Sequence, residues 1–264
     1  MDKASVGGVV LGFTGIVGGL LLEGGKISQI LQPTAAMIVF GGTAGAVLLQ
    51  FPLPVVANAL RSLASIFFEP KEDLQSGIEL LVHLANLARR SGIVKLDSEL
   101  DGIRDPFLKK SLMLAVDGTE PQELRQIMEL ELDNQFERRE RLHQVFESAG
   151  GFSPTVGIIG AILGLIQVMQ HLDKIDEVGR GIAVAFVATI YGVGAANLLF
   201  LPAAGKLRIR LREDQIRHEM MLEGVISILE GMNPHMLQNQ LSGFLAETEV
   251  KPRSAKPVVE EVVP

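Results

Sequence analysis

Residues 150–169 read GGFSPTVGIIGAILGLIQVM, and no charged side chain interrupts them. Pro154 stands near the start, and glycine then recurs at steps of three or four residues. An α-helix needs about 20 apolar residues to cross the hydrocarbon core of a bilayer. We therefore interpret this stretch as a membrane-spanning helix with one smooth face.

Three more charge-free stretches of similar length occur in the chain. The predicted spans cover about residues 4–22, 34–51, 151–170 and 181–203. Of the 264 residues, 47% are apolar and 28 are glycine, which suits close helix packing in a membrane. The sequence therefore predicts an all-α integral membrane protein with four transmembrane helices and a helical cytoplasmic domain between spans two and three.

The rest of the chain divides around these spans. We predict transmembrane helices 1 and 2 in residues 1–60 and transmembrane helices 3 and 4 in residues 151–205. Residues 61–150 form a polar block with helical periodicity, in which Gly92 marks a helix end, Asp105-Pro106 a helix start and Thr119 the start of a third helix. We expect an amphipathic cytoplasmic helix over residues 206–245 and a disordered tail over residues 246–264, which are rich in proline and charge.

The basic residues predict the orientation. The loop of residues 23–32 carries only Lys26, and that of residues 170–180 carries Lys174 and Arg180. The opposite side has a dense group directly after span four, namely Lys206, Arg208, Arg210 and Arg212. Because cytoplasmic flanks carry an excess of Lys and Arg, both termini and the polar block are expected in the cytoplasm. The protein would be a multi-pass protein of the bacterial cytoplasmic (inner) membrane.

The composition also excludes several functions. A net charge of −7 argues against a nucleic-acid partner, and the absence of cysteine excludes disulfides and thiolate metal sites. The spans contain no Ser/His pair, metal-binding motif or paired aspartates, so we expect no enzyme activity, cofactor or catalytic site. Ion transport needs a titratable or coordinating group in the membrane. Since no span carries Asp, Glu, Lys, Arg or His, such an acid would come from another chain.

Small residues mark one face on each of the last two spans. On span three the face is Pro154, Gly157, Ala161, Gly164 and Val168; on span four it is Ala185, Thr189, Gly192 and Ala196. Such faces permit close helix contacts, either within the chain or with a partner helix. Thr189 is an isolated hydroxyl on its face, and Thr155 lies one residue away from the other. Each hydroxyl could serve an ion pathway or bond its own preceding turn.

Three motifs together resemble the MotA/PomA family of flagellar motor stator proteins. They are FSPTVGIIGAILGL at residues 152–165, AFVATIYGVGAANLLFLPAAGKL at 185–207 and LARRSGIVKLDSELD at 87–101. The order of two spans, a polar block, two spans and a basic tail is similar to the family as well. This resemblance extends over most of residues 1–245.

The resemblance implies a stator subunit that assembles with a MotB-type partner. The partner would supply the ion-binding Asp and a peptidoglycan anchor, and a homo-oligomeric ring, a pentamer around a partner dimer, would form in the membrane lipid. The family's prolines correspond to Pro154 and Pro202, which would couple protonation of the partner Asp to the cytoplasmic block. Its rotor-facing residues, which meet the rotor protein FliG, correspond to Arg89 or Arg90 and to Asp97. The family usually has Glu where Asp97 stands, so Glu99 is the alternative.

The same resemblance suggests the ion and an alternative function. Sodium-driven relatives tend to carry Thr where Ala161 stands, which would add a second hydroxyl near Thr189, so Ala161 favours the proton as the coupling ion. Thr155 is the alternative oxygen ligand for sodium. An energiser of outer-membrane transport, of the ExbB/TolQ type, shares the patterns of spans three and four. The additional span at residues 34–51 and the ARRSGIVKLD motif favour the motor protein.

Overall fold

The structure is a computed structural model that describes residues 2–67 and 74–248. Over these residues the chain is helical and has no strand, as predicted. The α-helices are α1 (Lys3–Leu22), α2 (Ile27–Ile30), α3 (Pro33–Gln50), α4 (Leu53–Ile66), α5 (Leu74–Ser91), α6 (Pro106–Val116), α7 (Pro121–Gln170), α8 (Ile175–Ala195), α9 (Leu201–Leu229) and α10 (Pro234–Thr248). A 3₁₀ segment, Ile93–Gly102, follows α5, and a π-helical segment, Ala196–Phe200, joins α8 to α9.

Four helices in the described residues are long and apolar enough to cross a membrane, which confirms the predicted number. They are Lys3–Leu22, Pro33–Gln50, the apolar part of Pro121–Gln170 and the apolar part of Ile175–Leu229. Asp2 caps α1 by accepting the N–H groups of Ala4 and Ser5. Pro33 occupies the first turn of α3, where its missing N–H would be unpaired in any case.

The polar block begins and ends differently from the prediction. Its third helix does not stop near residue 150 but continues as span three, so that α7 has 50 residues. In the same way, span four continues through the π-helical segment into α9. The amphipathic helix expected over residues 206–245 is two helices, because Gly231 adopts a positive φ of 75° between α9 and α10. The helix α4 was not predicted, and the expected disordered tail lies outside the described residues from residue 249 onwards.

The chain forms two compact units. The first unit comprises Met1–Pro70 and Gln135–Arg212, and the second comprises Lys71–Asn134 and Glu213–Pro264. The unit boundary at residue 135 differs from the predicted domain end at 150, because Val145, Phe146 and Ala149 pack against α4 and α9 of the first unit. The second unit contains the predicted helix end at Gly92 (φ 81°) and the predicted start at Asp105-Pro106.

The second unit has a core of large apolar side chains. Leucines and methionines of five helices are buried there, among them Leu81, Leu108, Leu112, Leu124, Met128, Met220 and Leu241. The charged ends of α5 and the 3₁₀ segment lie on the surface of this unit. The core therefore provides a rigid support for a charged surface.

Candidate functional site

Glycines bring α7 and α8 into backbone contact. A Cβ added to Gly192 would lie 2.6 Å from the carbonyl oxygen of Ser153 and 3.0 Å from the Cα of Gly157. A Cβ on Gly157 would lie 3.0 Å from the carbonyl oxygen of Ala188. Neither position can hold a larger residue without moving the backbone. The two helices therefore cross with main chain against main chain.

The contact continues along both helices. A Cβ on Gly164 would lie 2.8 Å from the Gly181 carbonyl oxygen and 2.9 Å from the Ala185 nitrogen. Val168 covers Gly181 one turn further along. Most of the small-residue face predicted on span three is thus covered by span four of the same chain. Of the two contacts that the sequence left open for this face, the one within the chain is present at these glycines.

Two predicted site residues lie at the border of this contact. Thr189 is half-buried, and its hydroxyl donates to the Ala185 carbonyl at 3.2 Å. Ala161 is also half-buried. Thr155 is exposed, and its hydroxyl donates to the Phe152 carbonyl at 2.7 Å. Each threonine hydroxyl donates its hydrogen bond to a carbonyl of the preceding turn. The lone pairs of its oxygen can still accept a hydrogen bond or contact an ion.

The two predicted coupling prolines lie at a second contact, between α7 and the start of α9. Pro154 is inside α7 and cannot donate a backbone hydrogen bond to the Gly150 carbonyl. Pro202 follows the π-helical segment, in which Leu201 N–H donates to the Ala196 carbonyl, five residues back. A Cβ on Gly150 would lie 2.5 Å from Leu201 Cδ2. The turn before Pro154 therefore touches the residue that precedes Pro202.

The predicted rotor-facing residues lie together in the second unit. Arg89 and Arg90 end α5 and are exposed, and Gly92 turns the chain into the 3₁₀ segment. On that segment Asp97 is exposed and Glu99 is half-buried. Arg89 also lines a groove of about 270 Å³ whose other lining residues include Ile93, Ile228 and Met232.

The structure shows two ionic clusters that the sequence analysis missed. In the first unit, Asp2 contacts Lys206 and Arg210. In the second unit, Asp105 caps α6 and lies 3.5 Å from Nε2 of His218, whose ring stacks on Phe107. A capping signal before a helix was the only indication of either cluster in the sequence. Among the described residues, no group of three His, Cys, Asp or Glu side chains could hold a metal ion.

The fold and this site define a multi-pass membrane protein whose last two spans pack through glycines and carry prolines next to that contact. Two family models match such a chain. The model of the MotA/TolQ/ExbB proton channel family matches residues 99–220, and the model of the motility protein A N-terminal region matches residues 6–92.

Individual proteins are similar over almost the whole chain. Motility protein A of Bacillus subtilis is 35% identical, over 93% of this chain and 91% of that protein. A structure of C. jejuni MotAB gives a TM-score of 0.88 at 30% identity, with 97% of this chain and 100% of that chain covered. The flagellar MotAB stator complex from Bacillus subtilis gives 0.86 at 34% identity, with 94% and 98% covered. The chain therefore belongs to the motility protein A family of MotA/TolQ/ExbB proton channel proteins.

Proposed function

We propose that this chain is a flagellar motor stator subunit, which forms an ion channel with a MotB-type partner and converts ion flow into torque on the rotor. The similarity to solved MotAB complexes over nearly the whole length carries this proposal. The sequence of the four spans supports it, because none of them contains an acidic residue. The partner would supply the Asp that binds the ion, together with a peptidoglycan anchor.

The assembly follows from the same proposal. The chain would lie in the cytoplasmic (inner) membrane with both termini and the second unit in the cytoplasm, as the Lys/Arg bias indicates. Five copies would surround two partner helices. Many large apolar side chains of the spans are exposed in the single chain, including Leu11, Leu22, Met37 and Leu49. Neighbouring copies, the partner helix and membrane lipid would cover them.

The surface that meets the rotor protein FliG would be the charged residues around Gly92. Arg89 and Arg90 are exposed, and exposed charges steer partners more than they stabilise a fold. We expect the double variant Arg89→Glu, Arg90→Glu to abolish swimming while membrane level and ion flux persist. Asp97→Lys and Glu99→Lys, tested separately for swimming, show which of the two acids meets the rotor, because only the variant of that acid should swim poorly. Glu120→Lys, at another exposed position of the same unit, is the control and should swim normally.

Two outcomes separate the possibilities for this surface. A reversed charge on FliG that restores swimming to the double variant would support direct contact. Normal swimming of the double variant would contradict the rotor assignment.

The ion pathway would pass Thr155, Ala161 and Thr189. A proton needs one carboxylate and a hydrogen-bonded route, whereas sodium needs several oxygen ligands, and Ala161 offers none. We expect rotation to persist without sodium at constant proton-motive force. We also expect Thr189→Ser to drive rotation better than Thr189→Val, which keeps the shape and loses the hydroxyl. If Thr189→Val drives rotation as well as the unmodified protein does, the hydroxyl has only a packing or local backbone role.

The coupling ion has a second test. If rotation stopped on removal of sodium and only sodium restored it, the proton assignment would be wrong. If rotation persists, Ala161→Thr tests whether an added oxygen ligand introduces any dependence on sodium.

An energiser of outer-membrane transport remains the second candidate, because the family model over residues 99–220 includes TolQ and ExbB. The match of residues 6–92 to the motility protein A N-terminal model favours the motor. Co-purification decides between them. A MotB-like partner would support the stator, and a TolR- or TonB-like partner would support the energiser.

A further inference from the structure

The carboxylate of Asp2, at the start of α1, lies within hydrogen-bond distance of four donor groups. Its Oδ1 accepts the backbone N–H groups of Ala4 at 3.0 Å and Ser5 at 3.2 Å. Its Oδ2 accepts the Ser5 hydroxyl at 3.0 Å and lies 2.6 Å from Nζ of Lys206 on α9. Only 6% of Asp2 is exposed. The helix cap of α1 and an ion pair to α9 therefore share one buried carboxylate.

The same cluster also fixes the end of α4. The backbone N–H of Asp2 donates to the Phe67 carbonyl at 2.9 Å. Nη2 of Arg210 donates to the Ile66 carbonyl at 3.1 Å and lies 3.7 Å from Oδ2 of Asp2. Asp2, Lys206 and Arg210 thus tie the start of α1, the end of α4 and the first turns of α9 together. We call this group the α1–α4–α9 tie.

The charges of the tie depend on one another. The hydrogen bond from Lys206, followed by that from the Ser5 backbone, holds the pKa of Asp2 well below its usual value, against the opposing effect of burial. Asp2 is buried and Lys206 is half-buried, so each charge loses a close partner when the other is removed. Neutralising Asp2 would therefore release Lys206 and weaken the hold on Arg210.

The α1–α4–α9 tie lies just beyond Pro202, so a bend of α9 at this proline would displace Lys206 and Arg210. Lys206 and Arg210 lie one and two turns beyond Pro202, which removes a backbone hydrogen bond from the helix. Helices bend most readily at such positions. Ile66 and Phe67 are the last described residues before the chain leaves the first unit. A shift of α9 beyond Pro202 would therefore pull on the end of α4 through Asp2 and Arg210.

We propose that Asp2 is a positioning residue for torque generation, which passes movement of α9 beyond Pro202 to the end of α4 through Lys206 and Arg210. This inference rests on the proposed stator function. A purely structural tie would change how much protein reaches the membrane. A tie that transmits movement changes the torque that each incorporated stator delivers.

The torque per stator can be measured separately from the number of stators. A bead on a single motor speeds up in steps as stators join, and at high load the height of a step reports the torque of one stator. We expect Asp2→Asn to reduce step height by roughly two-fold or more, the range for loss of one coupling contact. Lys206→Gln, which keeps Asp2 as the cap of α1, should do the same. Asp2→Glu should recover part of the step height, and Lys3→Gln, at the exposed neighbouring position, should match the unmodified protein.

Each result bears on the proposal. Steps of normal height in Asp2→Asn and Lys206→Gln, with fewer steps or less protein in the membrane, would overturn it. If Asp2→Asn does not accumulate, the step height of Lys206→Gln decides by the same criterion. A partial return of step height in the charge exchange Asp2→Lys, Lys206→Asp would support it. Failure of the stator function itself is distinguishable, because the unmodified protein with its partner would then produce no steps at all.

Discussion

The two units of this chain hold their helices together in different ways. In the first unit, α7 and α8 meet through Gly157, Gly164 and Gly192, with backbone atoms in contact. In the second unit, helices are separated by buried leucine and methionine side chains such as Leu108, Leu112 and Met220. The contact between α7 and α8 has no room for added atoms. The core of the second unit, by contrast, depends on the large side chains that fill it.

The difference is the one expected if, as proposed, the spans lie in lipid and the second unit lies in water. Water drives apolar side chains of the second unit together, and each buried methylene contributes about 0.8 kcal/mol. Lipid provides no such force between transmembrane helices, so they gain stability from close packing, which small residues permit. We therefore expect the spans to be most sensitive to enlarged side chains and the second unit to be most sensitive to shortened ones.

The largest effect is expected from enlarging Gly192. A Cβ there meets the Ser153 carbonyl, and backbone atoms cannot rotate away as a side chain can. We expect Gly192→Val to prevent accumulation of the protein in the membrane and to abolish swimming, since overpacking alone costs about 1–3 kcal/mol. Gly194→Val is the matched control, because a Cβ there has nothing within 4 Å. Immunoblots of membranes measure both, and equal loss from both variants would contradict the close contact.

The second unit should respond to the opposite change. Leu112 is fully buried in its core, whereas 46% of the neighbouring Met113 is exposed. Leu112→Ala should reduce the free energy of unfolding of this unit by about 2–5 kcal/mol. Met113→Ala should change it little. The midpoint of thermal unfolding, measured on the purified complex with its partner, checks the pair. The comparison between units fails if Met113→Ala is the more damaging variant.

Much of this division could be predicted from the sequence, because it depends on local signals. The four charge-free stretches, the helix end at Gly92 and the capped start at Asp105-Pro106 are all confirmed. The continuity of α7 was missed because the change from polar to apolar residues near Gly150 was interpreted as a boundary. Composition changes there, but the helix does not end, since packing of its apolar face continues on both sides.

The site was predicted less completely, for a related reason. Spacing identified small-residue faces on spans three and four, but it could not show that they cover each other. Small residues permit a close contact without specifying which helix makes it. The break at Gly231 was missed although a proline follows it at Pro234, a common pattern after a helix end. The ion pair between Asp2 and Lys206 joins residues 204 positions apart, and no local pattern indicates such a contact.

Asp105 tests whether the second unit tolerates a buried charge. Burial opposes its ionisation, but hydrogen bonds from His218 and the Leu108 N–H, with the charges of His218 and Arg217, outweigh burial and lower the pKa to about 2. Because this pKa is below the unfolded value of about 3.9, the charge stabilises the fold above that pH, and the contribution is lost as pH falls towards 2.

The corresponding variants separate the helix cap from the charge. Asp105→Ala should cost about 1–2 kcal/mol through the cap of α6 and more through the unpaired cations. Asp105→Asn can still accept from Phe107 and Leu108, so we expect a smaller loss at neutral pH and a smaller loss on acidification between about pH 4 and pH 2 than in the unmodified protein. Unfolding midpoints against pH measure this. An unchanged acid response in Asp105→Asn would show that another group causes it.

His143 provides the opposite case in the first unit, and the smallest expected effect. It lies on α7 before the span, 94% buried by residue area, with Nδ1 unpaired among the described residues and Nε2 4.0 Å from Glu147. Burial lowers the pKa of His143, against the nearby charges of Glu147 and Glu140 and together with that of Arg208. The folded chain therefore binds a proton less readily than the unfolded chain, whose histidine titrates near about 6.5.

The sign of the pH effect follows from that difference. Stability of the first unit should fall as pH drops below about 6.5, because the unfolded chain then takes up the proton first. His143→Gln cannot titrate and should lose this part of the pH dependence, whereas His83→Gln, at an exposed position of the second unit, should keep it. Unfolding midpoints of the complex between about pH 7.5 and 5.5 compare the two. If His143→Gln loses as much stability on acidification as the unmodified protein, the buried histidine is not the group that penalises a charge in the first unit, and the contrast with Asp105 does not hold.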